Sequence, residues 1–199
     1  MKAKILTAER KENKQQFTEI FKSICKANNM TDIKFNYIAN PKGPGMYTGG
    51  KSVTAEYEYN IKDKDSISLF ISTLGHELAH IKNNDPLKYF YNNEYRKEKM
   101  FFEVRADIEG YNLVKDFITF GEYKQRLIGG VEKQKDIPDI EKKEWKKGYP
   151  TFEKRLSLLE KAYAHRDKEG KLSIEGVREE TDKIANKYMP KKREKNIKL

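Results

Sequence analysis

Phe17, Ile20, Phe21, Ile24 and Cys25 recur three and four residues apart behind a charged lead-in. That spacing makes one apolar helix face and predicts a helix over about residues 9 to 28. Ile33, Phe35, Tyr37 and Ala39 then alternate with polar neighbours, as a half-buried strand requires. The run Asn40, Pro41, Gly43, Pro44, Gly45 ends this strand, and Gly49 and Gly50 close the loop. Val53, Ala55, Tyr57 and Tyr59 alternate against Thr54, Glu56, Glu58 and Asn60, predicting a second strand over Ser52 to Asn60 that pairs with the first through the glycine-rich loop.

Helical spacing returns with Ile67, Phe70, Ile71, Leu74, Leu78 and Ile81, behind Asp63 or Asp65 as N-cap and ahead of Asn83, Asn84 and Pro86 as terminators. A helix from about Asn93 to Phe120 follows, with Gly121 as its stop. Residues 121 to 148 carry charge, Gly129, Gly130 and Pro138, and read as a short helix plus a loop overhanging a cleft. Thr151 caps a helix bearing Phe152, Leu156, Leu159 and Tyr163, and a last helix covers about Ser173 to Met189. The expected class is α+β: a small antiparallel sheet packed on several helices, in one domain over residues 1 to 190, with 191 to 199 a basic, flexible tail.

Composition changes this picture in three ways. Apolar residues make up 37% of the 199-residue chain and charged residues 36%, so the core is modest and the surface heavily charged. The net charge of +10 serves solubility or attracts an acidic partner; nucleic acid is one such partner, but no nucleic-acid motif accompanies the charge. Cys25 is the only cysteine, residues 1 to 16 lack the apolar segment of a signal peptide, and no run of apolar residues is long enough to span a membrane. A cytoplasmic location is the expectation.

Candidate chemistry lies in Gly75-His76-Glu77-Leu78-Ala79-His80, which contains H-E-x-x-H. Residues four apart share a helix face, so His76 and His80 can reach one ion. Glu77, one position along, can take a proton from water activated there. Zinc in such a site needs a third protein ligand and leaves a fourth position open. His165 is far along the chain, and Pro86 occupies the position six residues after His80 where metzincins place a histidine. An acidic ligand remains, from Glu94, Glu98, Glu103 and Asp107. Glu103 stands out because Asp107 follows one helical turn later and can orient a ligand histidine. Phe101, Phe102 and Ala106 argue that this stretch is partly buried.

His-Glu-Leu-Ala-His followed by Glu103-Val-Arg-Ala106-Asp107-Ile-Glu-Gly110 resembles the gluzincin signature of H-E-x-x-H and E-x-x-x-D, in the E-x-x-A-D-x-x-G form of CAAX prenyl protease and HtpX-type zinc endopeptidases. Tyr149-Pro150-Thr-Phe-Glu-Lys-Arg155-Leu resembles that family's late His-Pro-x-x-x-x-Arg segment, with Tyr149 in place of histidine. The likeness spans residues 66 to 160, without the family's transmembrane helices, and in this is similar to the soluble minigluzincins. A second resemblance, through H-E-x-x-H and the downstream E-x-x-A-D helix, is to ImmA/IrrE-type peptidases, which cleave transcriptional repressors. The resemblance implies a zincin-like fold and a zinc endopeptidase acting on a protein or peptide substrate. It implies that His76, His80 and Glu103 hold the metal, with Asp107 supporting a ligand histidine. Glu77 would then be the base, Tyr149 a donor to the developing oxyanion, and Arg155 a group that polarises the substrate or braces the site. In gluzincins a strand ahead of the metal helix binds extended substrate; here that would be Ser52 to Asn60, with Glu56 and Glu58 flanking the cleft. The rival from another class is a catalytically silent, zinc-stabilised binding module, against which an intact Glu77 argues.

Overall fold

The computed structural model describes residues 2–38, 46–56, 59–86 and 95–188, with side chains from residue 10 onward. Among them are seven helices and a three-stranded sheet, an α+β arrangement dominated by helix. In chain order these are α1 (Lys2–Ala27), β1 (Lys34–Tyr37), β2 (Met46–Thr48), β3 (Ser52–Ala55), α2 (Lys64–Lys82), α3 (Arg96–Val114), α4 (Phe120–Gln134), α5 (Ile140–Lys147), α6 (Phe152–Ala164) and α7 (Val177–Tyr188). No helix among the described residues is long and apolar enough to cross a membrane. The basic segment after residue 190 lies outside the described residues, as do Glu94, Tyr57 and Glu58.

The sheet is mixed rather than antiparallel. Its order is β1-β3-β2, with β1 parallel to β3 and β2 antiparallel to it. The extra strand explains the difference. Gly50 adopts φ +60 and closes a hairpin between β2 and β3, sealed by Gly49 N–H donating to Ser52 O at 3.0 Å. β2 thereby takes the antiparallel place beside β3, and β1 pairs with the opposite side. A parallel pair needs a crossover of a dozen or so residues, which residues 38 to 51 supply. Consequently β3, expected to be the substrate-binding edge strand, is the central strand; it ends at Ala55 rather than Asn60.

The sheet packs on α1 and α2 through aromatic rings. Phe17 of α1 lies 4.5 Å from Phe70 of α2, Phe21 lies 4.7 Å from Phe35 of β1, and Tyr59 meets Phe70 edge-on at 5.0 Å. Pairs at these separations add roughly 0.5–1.5 kcal/mol each beyond the area they bury. Asp63 is the N-cap of α2, its side chain accepting from the Asp65 N–H. The helix expected to run to Phe120 is shorter, and a separate helix starts there. α3 ends at Val114, and Thr119 opens α4 with a capping box, exchanging hydrogen bonds with Glu122. Gly121 sits in the first turn of α4 rather than stopping a helix, and where a short helix plus a loop was expected over 121 to 148 there are two helices, α4 and α5. Thr151 caps α6 as expected.

One close approach positions the rest. A Cβ added at Gly75 on α2 would lie 2.7 Å from the Gly110 carbonyl oxygen of α3. One added at Gly110 would lie 2.6 Å from the Tyr123 hydroxyl and 2.7 Å from the Gly75 backbone. The two backbones touch one residue before His76, so α2 and α3 present side chains to a shared space.

Gly110→Ala should therefore destabilise the fold by about 1–3 kcal/mol, because backbone must move to admit the methyl group. Gly129→Ala, at an exposed position of α4 where a Cβ meets nothing within 4 Å, should stabilise by roughly 0.5–1 kcal/mol. Urea midpoints of the two variants check this; equal midpoints would show that the helices do not make the close contact.

Candidate metal centre

The second half of α2 is buried almost all round: Leu74, Gly75, His76, Leu78, Ala79 and His80 are enclosed. α3 faces it with Phe102, Glu103, Val104, Ala106 and Asp107, also buried. Burying two imidazoles and two carboxylates together is costly unless they satisfy one another. The ligand-type atoms of His76, His80 and Glu103 lie within 4.8 Å of one another. His76 Nε2 stands 3.6 Å from Glu103 Oε2, and His80 Nε2 stands 3.9 Å from Glu103 Oε1.

The outer faces of both rings are engaged by carboxylates. His76 Nδ1 meets Asp107 Oδ1 at 2.9 Å, and His80 Nδ1 meets Asp85 Oδ2 at 2.8 Å. An ionised carboxylate only accepts, so each Nδ1 carries a proton, and a ring protonated there alone turns an Nε2 lone pair inward. Those two Nε2 atoms are 3.1 Å apart. Two lone pairs and a carboxylate converging on one point repel unless a cation lies between them. The donor set, two imidazole nitrogens and one carboxylate, each histidine oriented by an outer carboxylate, is one that could hold a metal ion.

Each aspartate is in turn held by arginine. Arg155 of α6 donates to Asp107 twice, Nε to Oδ2 at 2.7 Å and Nη2 to Oδ1 at 2.9 Å. Its Nη1 lies 3.2 Å from Glu103 Oε2. Arg126 of α4 also donates to Asp107 Oδ1, and Arg105 of α3 donates to Asp85 Oδ1. The Tyr123 hydroxyl donates to the Asp107 carbonyl at 2.8 Å. Asp85 reaches His80 because Asn84, at φ 51, turns the chain back beyond α2, and the Asp85 N–H donates to the His80 carbonyl at 3.0 Å.

The charges follow from this geometry. Burial pushes Glu103 up, but the contact with His76 and the Arg155 guanidinium outweigh it and hold the carboxyl at about 2. Burial likewise opposes ionisation of Asp107, and Arg155, Arg126 and His76 overcome it, holding the carboxyl well below its ordinary range. Burial depresses His76, and Arg126 opposes its charge, yet Asp107 and Glu103 leave it raised overall. Burial raises Glu77, with the two histidines acting against it. Glu77 as a residue retains intermediate exposure. Burial and the nearby Glu103 carboxylate push the Tyr149 phenol up to about 12, so it remains a proton donor at neutral pH. Lys99 Nζ stands 4.0 Å from the centroid of its ring.

His76, His80, Glu103 and Asp107 thus converge with Arg155 of α6, and Glu77 and Tyr149 lie near enough to feel the Glu103 charge. Arg155 contacts both Asp107 and Glu103. Glu98, in the first turn of α3, is outside the cluster, and His165 is exposed at the end of α6. Asp85, Arg105 and Arg126 were not among the expected residues. Asp85 lies past the helix terminators, and Arg126 falls in the segment read as a short helix plus a loop. The Thr119-x-x-Glu122 capping box was the signal that could have placed Arg126 on a helix. No family model, curated protein or solved structure matches the chain.

Two outcomes follow. Asp107→Ala leaves the buried Arg155 and the partly buried Arg126 without their shared carboxylate and should cost about 3–5 kcal/mol of stability in the chelator-treated protein; a loss below 1 kcal/mol in urea melts would contradict the brace. Glu103 is ionised down to about 2 in the fold against an ordinary 4.5. A depressed carboxyl stabilises fully above its unfolded value and loses that contribution as pH falls through the folded one. The stability difference between chelated wild type and Glu103→Gln should therefore be constant above about 4.5 and shrink toward 2. A difference independent of pH in that window would show that Glu103 is not held as an anion.

Proposed function

We propose that the chain is a zinc-dependent endopeptidase of the gluzincin type, with His76, His80 and Glu103 as ligands and Glu77 as the general base. One observation carries it: two carboxylate-oriented histidines four residues apart turn their Nε2 atoms, 3.1 Å apart, toward a buried glutamate, with an acidic residue directly after the first histidine. A structural metal site needs no base there. A zinc ion held by these three groups supplies Lewis acidity to the scissile carbonyl and lowers the pKa of water.

The chain's own residues do the remainder. Glu77 takes one proton from the attacking water, whose oxygen bonds to the carbonyl carbon. It then delivers that proton to the departing nitrogen as the C–N bond breaks, leaving a carboxylic acid and an amine. Burial raises the Glu77 carboxyl toward the working range of a base. The Tyr149 phenol, still protonated at neutral pH, donates to the oxygen that gains charge. Arg155 keeps Asp107 and Glu103 in place, so the imidazoles hold their orientation. A protein or peptide substrate is implied; a single protein target, as in ImmA/IrrE-type peptidases, is compatible with the same site.

Protein purified without chelator should carry one zinc per chain by elemental analysis, and Glu77→Gln should keep that zinc while losing about 10²–10⁴-fold in casein hydrolysis. Wild-type turnover in Glu77→Gln would remove its role as base. Zinc binding with no hydrolysis in wild type would instead support a silent zinc-stabilised module. Tyr149→Phe should lower turnover by up to about 10²–10³-fold with zinc content and melting temperature unchanged; full turnover in that variant would reduce Tyr149 to a packing residue.

A further inference from the structure

At 7% exposure Lys99 is, among the described residues, the one lysine enclosed by the fold. An ammonium group is strongly hydrated, and enclosing it is unfavourable unless electron-rich groups face it. Lys99 stands one helical turn before Glu103 on α3, so the two side chains lie on one face of that helix. Burial disfavours its charge and the Glu103 carboxylate favours it. The Nζ atom stands 4.0 Å from the centroid of the Tyr149 ring, well within the reach of about 6 Å at which a cation is attracted to an aromatic face. The mechanism above makes no use of this cation.

The segment that carries Tyr149 is docked on the same turns of α3. Gly148, at φ +79, ends α5, its N–H donating to Trp145 O at 2.9 Å while the Tyr149 N–H donates to Glu144 O at 3.0 Å. A Cβ at Gly148 would lie 3.1 Å from Arg96 Cα and 3.1 Å from Lys99 Cδ, so the cap rests directly on α3 and on the Lys99 stem. Arg96 Nε donates to Lys146 O at 2.9 Å, a second tie between the two elements. These contacts fix the backbone at Tyr149. They leave the direction of its side chain to be set by what the ring meets, and the ring meets the Lys99 ammonium. The charges of Glu103 and Glu77 also reach the phenol, so the same ring is shared by Lys99 and the proposed centre.

We propose that Lys99 is a positioning residue for Tyr149: its ammonium clamps the ring against α3 and so holds the phenol hydroxyl toward the metal centre. The inference rests on the function proposed above. A ring that swings away loses the cation and leaves the ammonium enclosed without its aromatic face, so each group restrains the other. The hydroxyl is then aimed before substrate arrives, as a donor to developing charge must be.

Two cycles of variants separate a clamp from a packing contact. Lys99→Leu keeps the stem as far as Cδ and removes the charge. It should lower kcat for casein about tenfold, with KM and zinc content little changed. Lys99→Arg, which restores a cation that can lie on the ring, should stay within severalfold of wild type. In Tyr149→Phe, which has no hydroxyl to aim, Lys99→Leu should have no further effect on turnover. Stability should follow the ring instead. In urea melts of chelator-treated protein, Lys99→Leu should shift the midpoint equally in wild type and Tyr149→Phe, and more unfavourably in both than in Tyr149→Leu. Full turnover in Lys99→Leu, an equal loss of turnover in the wild-type and Tyr149→Phe backgrounds, or Lys99→Arg as slow as Lys99→Leu overturns the positioning role. A midpoint shift unchanged in Tyr149→Leu overturns the clamp itself. Absence of casein hydrolysis by wild type removes the peptidase reading, and the melts alone then decide whether Lys99 holds the ring.

Discussion

The Asp107 carboxylate is the group on which the site depends. It is wholly buried, and it would be untenable there alone, since a lone buried carboxylate protonates instead of remaining charged. Arg155, Arg126 and the His76 ring all converge on it, from α6, α4 and α2. These contacts hold it ionised, and an ionised Asp107 fixes which His76 nitrogen bears the proton. The inward Nε2 lone pair follows from that choice. Arg155 extends the same logic to Glu103, so one guanidinium holds both the Glu103 carboxylate and the carboxylate that aims a histidine. Such a network adds little net stability over an apolar core, but breaking it at one member is expensive. Its value here is the fixed orientation of three donors.

The network can form only because α2 and α3 touch. Gly75 and Gly110 let the two backbones approach where any side chain would collide. That approach carries His76, His80, Glu103 and Asp107 into one buried volume, on helices whose Leu74, Leu78, Val104 and Ile108 belong to the core. The second histidine follows the same scheme with different parts. Asp85 orients His80, Arg105 holds Asp85, and the turn at Asn84 delivers the aspartate. Each imidazole therefore has a carboxylate behind it and a guanidinium behind that.

The helices bearing the site were legible because their patterns are local. The apolar positions from Ile67 to Ile81 recur at helical period, and H-E-x-x-H fixes its own geometry once that helix exists. Glu103 and Asp107 were legible for the same reason, being one turn apart on an adjacent helix. The sheet was harder. β2 is three residues long and sits in a stretch whose glycines read as loop, so its pairing with β3, and hence the parallel course of β1, has no periodic signal. The break between α3 and α4 was misplaced because Gly121 looked like a stop, whereas Thr119 and Glu122 start a helix. Arg126 and Asp85 join the site through contacts distant in sequence, which no window of residues along the chain records.

The central claim is that His76, His80 and Glu103 hold one metal ion while Glu77 stays free to act on water. A crystal of zinc-loaded protein measured at the zinc absorption edge tests it directly. The account predicts a single strong anomalous peak bound by Nε2 of His76, Nε2 of His80 and a carboxylate oxygen of Glu103. Asp107 and Asp85 should remain on the two Nδ1 atoms, and Glu77 should not be a ligand. A peak ligated by Glu77, a peak elsewhere in the molecule, or zinc soaks that leave the three donors without density would contradict it.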